Sequence, residues 1–287
     1  MDIREYRDSD LNQVVALLKD HSLTTVDLKA LELDSFVVAV EEGCVIGVAG
    51  LHHLDKLALV EIAAVDKPEV GALIYQFIEE KARAKAIIRL YLATSNASDY
   101  FITLGYDQIV RDAAPLPIQN TAQVSRLHNS SAKLMQKSLG QTNGRQEFDN
   151  GLFCAESALS TIAKHYQIES ELIPAIATGL CGGMSHSNGI CGALSGSVLG
   201  INLMLGRNSP YDSSDSNYAA VQPLVADFNE LFGSSKCSEL LGCDLGSKDG
   251  HEIFEKQGLR RRCREFTGIA ADLAVLEIEK SLSKKAR

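Results

Sequence analysis

Along the first third of the chain, apolar positions come in short runs separated by longer amphipathic stretches. In "DLNQVVALLKD" (10–20) they fall at i, i+3, i+4 and i+7, which predicts a helix with one buried face. "SFVVAVEEGCVIGVAGLHHL" (35–54) predicts a hairpin: strands over Phe36–Val40 and Val45–Leu51, with a turn at Glu41–Gly43. "KLALVEIAAV" (56–65) predicts a further strand and "EVGALIYQFIEEKARAKA" (69–86) a long helix. "IRLYLAT" (88–94), "SDYFITLG" (98–105) and "YDQIV" (106–110) continue as strand, short helix and strand. The order β-α-β-β-β-α-β-α-β predicts a sheet with one central crossover helix.

From Thr121 onward the strand pattern stops. "TAQVSRLHNSSAKLMQKSLG" (121–140) reads as a helix and tail, and "QTNGRQ" (141–146) as a polar joint. The segments 148–166, 170–182, 188–206, 215–232 and 249–283 all carry helical patterning. The expected fold is therefore α+β, a mixed sheet with flanking helices, followed by an all-α helical bundle. The expected domains are 1–137 and 148–287, joined by a linker at 138–147.

Charge and cysteine usage narrow the function classes. A net charge of −9 and a pI near 5.3 argue against a nucleic-acid partner, because neutralising phosphates needs a basic surface. The polar opening "MDIREYRDSD" carries no leader pattern. The apolar stretch around 189–205 is broken by Ser195, Ser197 and Asn202, so no membrane insertion is expected. Seven cysteines cannot all pair within the chain. A reducing, cytoplasmic setting is expected, where clustered thiols serve redox or metal chemistry more often than structural bridging.

In the first half, the element order and "YLATSNASDYFITLGYDQI" resemble the GNAT superfamily of acetyl-CoA-dependent N-acetyltransferases. Ala97, Phe101, Leu104, Gly105 and Tyr106 carry the match. The tail "APLPIQNTAQVSRLHNSSAKLMQK" is similar to that of GNAT proteins linked to arsenic resistance. The resemblance covers roughly residues 1–137 and implies acetyl transfer to a small-molecule acceptor. It also implies coenzyme A held at the strand–helix turn by Val65, Val70, Gly71 and Ala72, since free N–H groups and the helix dipole favour an anion there.

The departures from that family are local. The loop "AAVDKPEVGALIYQF" is short, lacks the family's arginine, and places Asp66 and Glu69 where a pyrophosphate would approach. The tyrosine that serves many members as general acid falls on Phe101, with Tyr100 adjacent. Glu61 is a candidate base, or a solvated carboxylate on the sheet face. His52 and His53 could face a substrate pocket or simply be solvated.

In the second half, "FDNGLFCAESAL", "GGMSHSNGICGALSGSVLG", "KCSELLGCDL" and "RRRCREFTGIAADLAV" together resemble the C_GCAxxG_C_C family of redox-active proteins. Over about 146–280 the match rests on Cys154, Cys191, Cys237 and Cys263, with Cys191–Gly196 as the CGAxxG element. It implies redox activity without fixing a reaction. Cys191 opens a predicted helix and Cys263 follows "LRRR", and both settings favour thiolate. Two meeting thiols would form a dithiol/disulfide pair passing electrons to a partner; four converging would suit a metal or iron–sulfur cluster. Buried small hydrophobes are the alternative. No CxxC occurs. Cys181 and Cys243 are candidate resolving thiols, His186 a ligand or base if not simply exposed, and Cys44 structural.

Overall fold

The computed structural model describes residues 1–21, 36–129, 131–140 and 142–285. The chain divides into two compact units: Met1–Arg111 with Pro117–Gly140, and Asp112–Leu116 with Gln141–Arg287. Asp112–Leu116 thus joins the second unit. Gln141, the first residue of the expected joint, lies outside the described residues.

The described residues of the first unit form a seven-stranded sheet: β1 (Asp2–Glu5), β2 (Phe36–Glu41), β3 (Cys44–Leu54), β4 (Leu57–Val65), β5 (Arg89–Thr94), β6 (Asp107–Ile109) and β7 (Lys133–Ser138), ordered β1-β2-β3-β4-β5-β7-β6. Only β4 and β5 run parallel; their crossover is α2 (Pro68–Ala84), and α1 (Leu11–Asp20) precedes β2. The strands are apolar on both faces because both are covered. Val37 and Ala39 face Ile74, Tyr75 and Ile78 of α2, whereas Phe36 and Val38 face Val14, Leu17 and Leu18 of α1. The remaining helices here are α3 (Ser98–Thr103), α4 (Leu116–Gln119), which begins at the unit boundary, and α5 (Ala122–Ser125).

Strand β7 corrects the expected helix and tail. It inserts between β5 and β6 and pairs antiparallel with both, Leu92↔Met135 and Gln108↔Met135. Enclosed between two strands, Leu134, Met135 and Gln136 are all buried, so the segment lacks the alternation of a half-exposed strand.

The second unit is helical: α6 (Gly144–Asp149), α7 (Cys154–His165), α8 (Cys181–His186), α9 (Gly192–Leu205), α10 (Asp215–Phe232), α11 (Cys237–Leu241), α12 (Lys248–Lys256) and α13 (Arg260–Lys285). With β7 reaching Ser138 and α6 starting at Gly144, the expected ten-residue linker is mostly structured. The expected helix over 249–283 is broken at Gly258, whose φ of 59° ends α12. The expected helix over 170–182 is absent. A 3-10 turn, Ala175–Leu180, runs into α8, where Gly182, Gly183, Met184 and Ser185 are all left-handed. For a residue with a side chain that geometry costs roughly 1–2 kcal/mol, here offset by Ser185 Oγ donating to Gly179 O (3.0 Å) and Gly189 N to Gly183 O (3.0 Å).

Helices α7, α9 and α13 pack together at the centre. The spacing Gly192–Gly196–Gly200 puts one small-residue stripe of α9 against α7. A methyl group on Gly196 would lie 2.7 Å from Ala155 Cα, and one on Gly200 2.9 Å from Ile162 Cβ. Glycine lets the two backbones approach this closely.

Candidate functional site

The cysteines of the second unit collect at helix starts. Cys154 is the first residue of α7, Cys191 caps α9, Cys237 is the first residue of α11, and Cys263 lies in the first turn of α13. Cys181 opens the left-handed segment. A short antiparallel bridge, Ile190↔Lys236, brings two of these starts together: Cys191 N donates to Ser235 O (2.7 Å) and Cys237 N to Gly189 O (3.0 Å). Gly183 packs directly on the Cys237 side chain. Gly192 makes room for the Cys154 sulfur, and a methyl group there would also lie 3.2 Å from Cys181 Cα.

Cys154 and Cys181 sit beside one another: a methyl group on Gly192 would meet both the Cys154 sulfur and Cys181 Cα, and Cys181 Sγ donates to Ala177 O (3.7 Å). Cys191 interacts electrostatically with Cys237 and Cys181, Cys263 with Cys191 and Cys237, and Cys237 with Cys243. The four family cysteines therefore share one patch with Cys181 and Cys243, while Cys44 is exposed in the first unit. Among the described residues, however, no three His, Cys, Asp or Glu side chains are placed to hold a metal ion. The donor set expected for a metal or iron–sulfur cluster, Cys154, Cys191, Cys237 and Cys263, does not fit such a group in this arrangement.

The thiol pKa values move opposite to the sequence expectation. Burial pushes Cys191 up to about 12, although the Ala193 and Leu194 N–H groups at the start of α9 pull it down. Burial pushes Cys237 up to about 11. Burial also raises Cys263, with the nearby thiols Cys191 and Cys237 adding to it and Arg260 and Arg262 opposing. For Cys181 the hydrogen bond with Cys154 is the largest upward effect, then burial; the Ala155 and Glu156 N–H groups act downward. Desolvation outweighs dipole and charge, so these thiols rest protonated.

Glu156 fixes the geometry around Cys154 and Cys181. Its carboxylate accepts from Phe153 N (2.8 Å) and from Thr178 Oγ1 (2.6 Å), tying the start of α7 to the turn before Cys181. Beside this pair opens a cavity of about 370 Å³. Cys154, Cys181 and Cys263 line it; His186, one of the sequence candidates, and His251 share its wall with ring centroids 5.5 Å apart. Cys191 and Cys237 are not among its lining residues.

The first unit holds a cleft of about 750 Å³. Parallel pairing of β4 with β5 ends at Val60↔Leu92, and beyond that point the strands part. Gly50 pairs with Ile62 and Leu51 with Val60, so Glu61 is the extra residue of a bulge. Glu61 lines the cleft, and its Oε1 lies 2.8 Å from His52 Nδ1. His53 points elsewhere, near Lys85. Tyr100 also lines the cleft, but its hydroxyl donates to Pro68 O (2.9 Å) and burial raises its pKa. Phe101 is buried edge-on against Tyr75.

At the start of α2, where coenzyme A is expected, several amides are already engaged or missing. Pro68, first in α2, has no N–H. Asp66 N donates to Ile46 O, and Val70 N and Gly71 N both donate to Lys67 O. Val70 is buried in the core, Gly71 lies beneath the Tyr100 hydroxyl, Ala72 is half-buried and Val65 lines the cleft wall. Asp66 and Glu69 add negative charge at this helix start, which repels an anion.

Residues 152–276 match the family model described as "Putative redox-active protein (C_GCAxxG_C_C)". No curated protein matches the chain. Among solved structures, N-acetylglutamate synthase from Neisseria gonorrhoeae, complexed with coenzyme A and N-acetyl-glutamate, is similar at 19% identity and TM-score 0.43, covering 49% of this chain. The chain spans only 35% of that synthase. Rv2747 from Mycobacterium tuberculosis, in complex with CoA and NLQ, is similar at 19% identity and TM-score 0.41, over 48% of this chain and 99% of its own. A GNAT-family acetyltransferase from Staphylococcus aureus is similar at 18% identity and TM-score 0.39, over 48% of this chain and 98% of its own. No helix among the described residues is long and apolar enough to cross a membrane.

Proposed function

Starting from a helical unit whose residues 152–276 carry the C_GCAxxG_C_C pattern, we propose that this protein performs thiol–disulfide chemistry through Cys154 and Cys181. One observation carries the reading: Cys154 and Cys181, neighbours across Gly192, both face a cavity of about 370 Å³. Oxidation removes two electrons and two protons and joins the two sulfurs; an electron partner in a reducing, cytoplasmic setting returns them. Cys263 lines the same cavity, whereas Cys191 and Cys237 do not. The test is mass spectrometry of reduced full-length protein after one equivalent of hydrogen peroxide. Loss of two thiols with a Cys154–Cys181 linked peptide is expected; seven free thiols would end the proposal.

The cleft supports a second reading, acetyl transfer from acetyl-CoA to a small-molecule acceptor in the first unit. Its support is Glu61, placed on a bulge facing an open cleft and held by His52. The engaged or missing amides at the start of α2 stand against it. Calorimetric titration with acetyl-CoA decides: heat of binding below millimolar concentration sustains acetyl transfer, and its absence removes it.

A further inference from the structure

The cavity beside Cys154 and Cys181 has a divided lining. Cys154 and Cys181 are nearly enclosed, each 9% exposed, and Cys263 is half-buried. Around them stand three aromatic rings, Phe148, Phe153 and Phe254. Phe153 is 54% exposed, unusual for a phenylalanine with no packing role on its outer face. The ionisable groups at the wall are Arg260, His186, His251 and Glu255. Arg260 lies over the Phe148 ring, 4.4 Å from its centroid, and donates to Phe148 O (3.3 Å). It has no carboxylate partner among the described residues, so its charge is held in place yet left unneutralised.

We propose that this cavity admits a small aromatic disulfide bearing a carboxylate, which the Cys154–Cys181 pair reduces. The inference rests on the thiol–disulfide reading above and adds the substrate class. A cavity of about 370 Å³ is the size of small-molecule sites, and thiols this enclosed exclude a disulfide held in a folded protein. The rings supply stacking surface for an aromatic group. Arg260 supplies a planar guanidinium for a carboxylate.

The chemistry closes on the residues present. The Cys154 sulfur attacks one sulfur of R–S–S–R. A Cys154–S–S–R bond forms and the first thiolate leaves with the Cys154 proton, for which His186 or His251 can act as carrier. The Cys181 sulfur then attacks Cys154 sulfur, giving Cys154–S–S–Cys181 and a second RSH that takes the Cys181 proton. The substrate gains two electrons and the protein loses two.

The test uses full-length reduced Cys44→Ser protein, which removes the exposed thiol outside this unit. It is mixed with dithiobis(nitrobenzoate), an aromatic disulfide with two carboxylates, and separately with neutral dithiodipyridine. Two equivalents of thiol released per chain with no adduct retained, and a Cys154–Cys181 bond by mass spectrometry, are expected. Arg260→Gln should slow the carboxylate-bearing reagent by about tenfold or more, the worth of a charge-assisted hydrogen bond. It should leave the neutral reagent unchanged, and Arg260→Lys should recover part of the loss. Equal slowing with both reagents, or none with either, overturns the substrate class. If the pair closes with peroxide yet neither disulfide closes it, only this inference fails. If nothing links Cys154 to Cys181, the underlying function fails with it.

Discussion

Helix starts are used in opposite ways by the two units. At the start of α2, Pro68 removes a donor, Asp66 and Glu69 bring negative charge, and the Tyr100 hydroxyl caps the turn through Pro68 O. At the starts of α7, α9, α11 and α13 the chain places Cys154, Cys191, Cys237 and Cys263. A helix N-terminus carries partial positive charge and draws an anion. One unit has thinned the donors and added negative charge at such a start; the other has loaded several with groups that become anions only on losing a proton. The difference teaches that a helix start does not by itself make a reactive thiol. Burial pushes Cys191 and Cys237 up to about 12 and 11 and raises Cys181 and Cys263 as well, so it is access to the cavity, not ionisation, that sets Cys154 and Cys181 apart from Cys191 and Cys237.

The largest test of that contrast is removal of a resolving sulfur. Cys181→Ser should abolish closure of the pair, so a small disulfide leaves a persistent adduct on Cys154, read by intact mass. Cys191→Ser should still close. If both variants behave alike, the pair is not distinct from the other cysteines of the patch.

Next in size is the packing that holds the thiols together. Gly196→Ala puts a methyl group against the Ala155 backbone, an overpacking cost of about 1–3 kcal/mol. Thermal unfolding should shift down by roughly 5–10 °C. An unchanged midpoint would mean α7 and α9 do not approach as closely as described.

A smaller effect is expected at the start of α2. Replacing Asp66 and Glu69 together by Asn and Gln removes two repulsive charges, each worth about 0.3–1 kcal/mol. Titration with inorganic pyrophosphate should show tightening of only a few-fold from very weak binding. Micromolar binding by the unaltered protein would break the contrast outright.

Much of this was legible from hydrophobic patterning. The β2–β3 hairpin was readable because Phe36–Glu41 and Cys44–Leu54 flank a short polar turn. Strand β7 was not, because burial on both sides erased its alternation. The segment 170–182 read as helix, but it ends in a 3-10 turn that runs into left-handed residues. Cys181 was visible as a thiol, but its partner is set by a turn that carries it to Cys154 rather than to its sequence neighbour Cys191. The direction of the thiol pKa shifts was misread for one reason: the helix start is a local feature, whereas desolvation depends on what packs from elsewhere.

A further test is alkaline stability. With folded values near 12 and 11 against about 8.5 for a free thiol, Cys191 and Cys237 stay protonated where the unfolded chain ionises. Their stabilisation is complete below about pH 8.5 and is lost as pH rises toward 11–12. The unfolding midpoint should fall over that range, and less steeply in Cys191→Ala. Identical slopes would place Cys191 in water.

The most direct measurement is the order in which cysteines are lost during stepwise oxidation of the full chain, followed by peptide mass spectrometry. The account predicts that Cys154 and Cys181 disappear first and together, as one linked peptide, while Cys191, Cys237 and Cys263 remain free. A first bridge between Cys191 and Cys237, or independent loss of single thiols, would contradict it.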